Sequence, residues 1–116
     1  MKLDLDLCRE ILLKIENEGN VNGLDWMPSI VGYSNEIVLY QQKKMAEAGY
    51  LLIKPISGGR TRVDISYSGH EFLKQMLDDN LWNKTKEIAK KSGIELTFET
   101  IKAIIPMAIQ TLLKVI

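Results

Sequence analysis

Leu5, Cys8, Ile11, Leu12 and Ile15 recur at the three-and-four spacing that stacks apolar side chains on one helical face, and this predicts a helix over residues 4–17. Asp4 and Asp6 fall in its first turn, where carboxylates meet the positive end of the aligned peptide dipoles. Glu18, Gly19 and Asn20 then offer a left-handed stop. The periodicity breaks over residues 21–33: Gly23, Pro28 and Gly32 surround Leu24, Trp26, Met27, Ile30 and Val31, a pattern that predicts a loop with one short strand. Ser34, Asn35, Glu36 and Ile37 have the order of an N-cap followed by helix formers, and residues 37–48 run without glycine or proline until Gly49. Residues 50–56 are rich in strand formers and residues 57–60 make a turn. Over residues 61–67, Val63, Ile65 and Tyr67 alternate with Arg62, Asp64 and Ser66, which completes a β-hairpin. Ser68, with Glu71 three residues on, predicts a capped helix to about residue 79 that turns Phe72, Leu73, Met76 and Leu77 inward. A shorter helix over residues 81–91 precedes Ser92 and Gly93. A last one starts near Thr97 and runs to residue 116 through Pro106, where the missing hydrogen bond predicts a bend.

Helix, short strand, helix and two-stranded hairpin, in that order, spell a winged helix. The expected fold class is therefore α+β, mostly helical: a winged helix-turn-helix with a β-hairpin wing and additional C-terminal helices. With 116 residues and no internal repeat or Pro/Ser-rich linker, a single domain is expected over residues 1–116. Residues 1–67 form its helical core and wing, and residues 68–116 a C-terminal helical extension suited to dimerisation.

Two resemblances agree with this order. The stretch Tyr40-Gln41-Gln42-Lys43-Lys44-Met45-Ala46-Glu47-Ala48-Gly49-Tyr50-Leu51 resembles the end of the recognition helix in many bacterial winged-helix regulators, where Glu-Ala-Gly closes the helix and a wing strand follows. Gly49 can take a positive φ there, which lets Tyr50 and Leu51 fold back as strand. Over nearly the whole length, the chain is similar to an uncharacterised family of small winged-helix proteins of bacteria and their phages. The likeness is carried by the opening Met1-Lys2-Leu3-Asp4-Leu5-Asp6-Leu7-Cys8-Arg9-Glu10-Ile11-Leu12, by Tyr67-Ser68-Gly69-His70-Glu71-Phe72-Leu73 and by Asp78-Asp79-Asn80-Leu81-Trp82-Asn83-Lys84. It implies a fold and carries no activity. Gln41 departs from a pattern that commonly has histidine, and Gln42 from one that often has leucine, so helix packing is expected to loosen there.

Charge changes the functional picture. Fifteen basic and fifteen acidic residues leave a formal charge of zero, so no overall field draws the chain to nucleic acid. The distribution is uneven: residues 1–33 carry three basic and six acidic groups, residues 34–67 five and three, and residues 68–116 seven and six. One cysteine, Cys8, and one histidine, His70, exclude an internal disulfide and leave too few soft ligands for structural zinc. Cys8 reads as core and His70 as a first-turn structural residue, since neither has a catalytic partner at usable spacing. The Gly58-Gly59 pair lacks what a phosphate loop requires and reads as a turn. Alternating aspartates interrupt any signal-type run at the start, and Glu99, Lys102, Gln110 and Lys114 argue against a spanning helix at the end, so a cytoplasmic location away from membranes is expected.

Candidate DNA-contacting residues are Asn35, Tyr40, Gln41, Lys43 and Lys44 on the second helix, with Arg60 and Arg62 on the wing, because amides and hydroxyls read base edges and cations meet phosphates. Glu36 and Glu47 share parts of that surface and oppose it. Lys84–Lys86 and Lys90–Lys91 read as solvated faces. Trp26 and Trp82 are packing anchors or interface residues. The last helix has more apolar surface than one stripe requires, which makes Ile101, Ile105, Ile109, Leu112 and Leu113 the expected dimer interface. The expectation is a non-enzymatic DNA-binding protein of the phage or prophage regulator type, without cofactor or metal. Its partners would be double-stranded DNA and a second copy of itself; the alternative is a winged-helix module that binds a protein partner instead of DNA.

Overall fold

Polar side chains at the helix starts fix most of the element boundaries. A computed structural model describes residues 1–26 and 29–114; Met27, Pro28, Val115 and Ile116, which the sequence reading placed in the loop and the last helix, lie outside the described residues. The element order is α1 (Leu5–Glu18), β1 (Leu24–Asp25), α2 (Asn35–Glu47), β2 (Leu51–Pro55), β3 (Thr61–Ile65), α3 (Tyr67–Lys74), α4 (Asp79–Ser92) and α5 (Phe98–Lys114). Among the described residues this is a mostly helical α+β protein with five helices and a small antiparallel sheet. The chain divides into two compact units, residues 1–73 and 74–116.

In the first unit the Asp4 carboxylate accepts from the Leu7 N–H at 3.1 Å and starts α1, and the Ser34 hydroxyl accepts from the Ile37 N–H at 3.3 Å and starts α2. Caps of this kind contribute about 1 kcal/mol each. The buried face of α1 contributes more: Leu5, Leu7, Cys8, Ile11, Leu12 and Ile15 are all buried, and each large side chain buried is worth about 1.5–3 kcal/mol. That face is wider than the predicted one, because Leu7 joins it. Gly19 ends the helix in an extended conformation, φ −73°, and not in the expected left-handed one. A Cβ at Gly19 would overlap the Ile15 carbonyl oxygen, so close approach is what requires a glycine there.

The sheet has the order β1-β3-β2, all antiparallel. Leu24 and Asp25 of β1 face Val63 and Arg62, and β2 pairs from Leu51↔Ile65 to Pro55↔Thr61. Gly49 takes φ +86° after α2, as its position predicts, and lets Tyr50 stack on Phe72 with ring centroids 4.5 Å apart. The α1 helix packs against α2 and β3, with Val38, Met45, Leu51, Val63 and Ile65 buried.

The cap of α3 is Ser66, two residues before the predicted Ser68. Its hydroxyl accepts from the Gly69 N–H at 2.9 Å and donates to the Gly49 carbonyl at 2.5 Å. One side chain thus joins the end of α2 to the start of α3. The helix also stops at Lys74, well short of residue 79, because Asp78 caps the next helix by accepting from the Leu81 N–H at 2.9 Å. Phe72, Leu73 and Met76 are buried as expected, whereas Leu77, beyond the helix, is exposed.

In the second unit α4 packs on α5. Trp82, Thr85 and Ala89 are buried on α4, and Phe98, Ile101, Ile104, Ile105 and Ala108 on α5. Thr97 and Thr100 start α5 reciprocally, each backbone N–H donating to the other's hydroxyl at 2.7 and 3.1 Å. The helix continues through Pro106 as one element.

Candidate nucleic-acid interface

The inward stripe of α2 decides which of its polar residues can reach a ligand. Val38, Gln41, Gln42 and Met45 are its buried residues, the spacing of a core-facing seam. Gln41, expected to read base edges, therefore points inside. Its Oε1 accepts from the Asp4 N–H at 2.8 Å and its Nε2 donates to the Lys2 carbonyl at 3.0 Å, clasping the segment ahead of α1. The Cys8 thiol lies 3.7 Å from the same oxygen. Gln42 is buried with both amide atoms unpartnered.

On the outward side Asn35, Glu36 and Lys43 are exposed and Tyr40 is half-buried. The Lys44 ammonium sits 5.5 Å from the centre of the Tyr40 ring and 3.2 Å from the Glu47 carboxylate, so its charge is largely answered within the helix. Arg60 is exposed at the end of the hairpin turn, where Gly58 and Gly59 both take positive φ. Arg62, expected beside it as a phosphate contact, is otherwise engaged. Its guanidinium donates to the carbonyls of Asn22 at 2.9 Å and Gly23 at 2.7 Å and meets the Asp25 carboxylate at 3.2 Å, tying β1 and its approach to β3. Lys54 is paired with Asp64 at 3.3 Å. The structure thus brings Tyr40 and Lys44 together on α2, leaves Asn35 and Lys43 exposed on the same helix and Arg60 outward on the hairpin, while Gln41 and Arg62 serve the fold.

The opposite sign of charge collects on α1. Asp6, Glu10, Leu13, Lys14, Asn17 and Glu18 form one wall of an open groove of about 770 Å³, and Ser29, Ile30, Val31 and Tyr33 form the other. Lys14 is paired with Glu18 at 3.0 Å. Asp4, and behind it burial, Asp6 and Glu10, push the Tyr33 hydroxyl above its ordinary pKa, so the acidic field crosses the groove. The four-residue repeat of Asp6, Glu10 and Lys14 was a readable signal for the first wall; the second follows no period.

Cys8 is buried, and that burial, helped by the negative Asp4, pushes its thiol up to about 12, which makes it a poor nucleophile. His70 Nδ1 lies 3.6 Å from Glu16, linking α3 to α1. Trp82 is buried and Trp26 half-buried. On α4 the Glu87 carboxylate sits between Lys91 at 2.8 Å and Lys84 at 3.2 Å, and these hydrogen bonds lower its pKa. Of the expected dimer residues, Ile101 and Ile105 are buried within the chain itself, Leu112 is half-buried, and Ile109 and Leu113 are exposed. Among the described residues no group of three His, Cys, Asp or Glu could hold a metal ion, and no helix is long and apolar enough to cross a membrane.

A family model described as "Hypothetical protein (DUF2513)" matches residues 2–95. A Haemophilus influenzae protein named "Uncharacterized protein" is similar to the chain, 29% identical over 119 residues that cover 97% of this chain and 99% of the relative. No solved structure matches the chain.

Proposed function

The chain belongs to the DUF2513 family of hypothetical proteins, and on that premise we propose that it is a winged-helix protein that binds double-stranded DNA through α2 and the tip of the β2–β3 hairpin. The observation that carries this reading is the sheet order β1-β3-β2 with α2 running directly into the hairpin. In a winged helix that arrangement sets a groove-reading helix beside a wing. The contact set narrows to Asn35, Tyr40, Lys43 and Lys44 on α2 and Arg60 on the wing, with Asn35 and Lys43 exposed for base and phosphate contact. No catalytic role is assigned. Regulation of transcription, of the phage or prophage type, is the task such binding would serve.

Few cations on this surface are free of a carboxylate, so each copy neutralises few phosphates and depends on pairing for affinity. A second copy joined through the exposed part of α5 would supply the second half-site. Selection of bound fragments from random duplex DNA, followed by anisotropy titrations in increasing salt, tests the reading. Lys43→Ala and Arg60→Ala should each weaken binding uniformly across sequences and reduce the salt slope by about 1. Asn35→Ala should relax preference at one base position. Absence of salt-dependent binding to any duplex at about 50 mM salt would remove DNA as the ligand.

A further inference from the structure

The groove between α1 and residues 29–33 has a chemistry of its own. Along α1 it presents three carboxylates, Asp6, Glu10 and Glu18, against one lysine, Lys14, which Glu18 already pairs. Residues 6–18 rise about 18 Å along the helix axis, enough for a ligand of about three helical turns. Facing them, Val31 is fully exposed and Ile30 half-exposed, apolar side chains that water solvates poorly. We propose that this groove docks a cationic amphipathic peptide segment of a partner protein, its basic side chains on the α1 wall and its apolar ones on Ile30 and Val31.

Charge complementarity selects this occupant. A carboxylate wall repels phosphate, so nucleic acid does not belong here; on the far wall Asp4, which lies outside the groove lining, and behind it burial, Asp6 and Glu10, raise the Tyr33 hydroxyl above its ordinary pKa. The groove is open and half polar, unlike the enclosed, mostly apolar cavities that hold small molecules. A helix with lysines on one side and leucines on the other satisfies both walls at once, the helix-in-groove mode of recognition. The lining residues are distinct from Asn35, Lys43 and Arg60, so the assignment stands apart from the DNA reading and can fail separately from it.

The probe is a synthetic fluorescein-labelled peptide of about fourteen leucines and lysines in helical amphipathic order, titrated with the full chain by anisotropy at about 100 mM salt. A counterpart with glutamate in place of lysine is titrated beside it. The lysine peptide should bind and the glutamate peptide should not. The double change Asp6→Asn with Glu10→Gln should weaken binding about tenfold, and Val31→Ser about fivefold. Glu47→Gln with Glu99→Gln, the same loss of charge outside the groove, should alter it less than about twofold. All sites changed are exposed, and circular dichroism of each variant is the check that it keeps the fold. No binding, or equal weakening by groove and control variants, overturns the assignment. A doubling of chain mass that Val31→Ser abolishes would give the groove to a second copy and overturn it as well.

Discussion

Gln41 and Gln42 are chemically identical neighbours with opposite effects on stability. Gln41 satisfies the Asp4 N–H and the Lys2 carbonyl, whereas Gln42 carries an amide into the core without a partner. A buried polar group without a hydrogen bond costs about 1–3 kcal/mol. Gln42→Leu is therefore expected to raise the unfolding free energy by about that amount, read as a higher urea midpoint at unchanged slope. Gln41→Leu should lower it by a similar amount, because the two main-chain groups it serves lose their partner. Cys8 gives a second measurement at this scale. Its thiol is pushed from 9.0 to about 12, so the folded chain holds that proton more tightly than the unfolded chain does. The stability tied to this group is complete below pH 9.0 and is lost as pH rises toward 12. Iodoacetamide at pH 8 should label Cys8 roughly a hundredfold or more slowly in the native protein than in concentrated urea, since only the thiolate reacts. Comparable rates would contradict the buried position.

Elements whose residues follow a period were legible before any coordinates. The α1 face, the Ser34 start of α2, the Gly49 stop and the β2–β3 hairpin all follow from spacing and turn chemistry. Boundaries set by competing polar residues were not. Ser66 and Ser68 are both good caps, and Ser66 prevails because its hydroxyl also reaches the Gly49 carbonyl, a contact 17 residues away in sequence. Asp78 ends the preceding segment by capping α4, and this is what leaves Leu77 in solvent. The candidate DNA surface was half legible. Positions 35, 40, 43 and 44 share an outward side, but the seam of Val38 and Met45 already implied that Gln41 faces inward. The strand position of Arg62 is legible in the sequence, while the carbonyls it meets are not. The groove needed a three-dimensional neighbour: the carboxylate repeat of α1 is in the sequence, and the wall at residues 29–33 has no pattern to announce it.

At the scale of the molecule, a net charge of zero is a balance of unlike surfaces. The α1 wall is acidic, while the outward side of α2 and the hairpin tip hold cations partly answered by Glu47 and Asp64. Association is tested on α5, where Ile109 and Leu113 lie one turn apart and exposed. Light scattering of the purified protein is expected to give twice the chain mass of 13.2 kDa, and Ile109→Glu to return it to one. A single-chain mass at every concentration would end that part of the proposal. Ile101→Glu should unfold the chain instead, because that side chain is buried within it. The Arg62 latch sets a rule for which substitutions the molecule tolerates. Two of its three acceptors are carbonyls of residues 22 and 23, so it grips main chain whatever side chain position 22 displays. Asn22 is thus open to mutational drift, while Gly23 and Arg62 are not: Gly23 sits at φ +82° against Val63, and a lysine in place of Arg62 supplies one point of charge where a fork spans two carbonyls. A saturation library of the chain would therefore show a permissive column at 22 beside an intolerant one at 23, and a column at 62 that rejects even lysine.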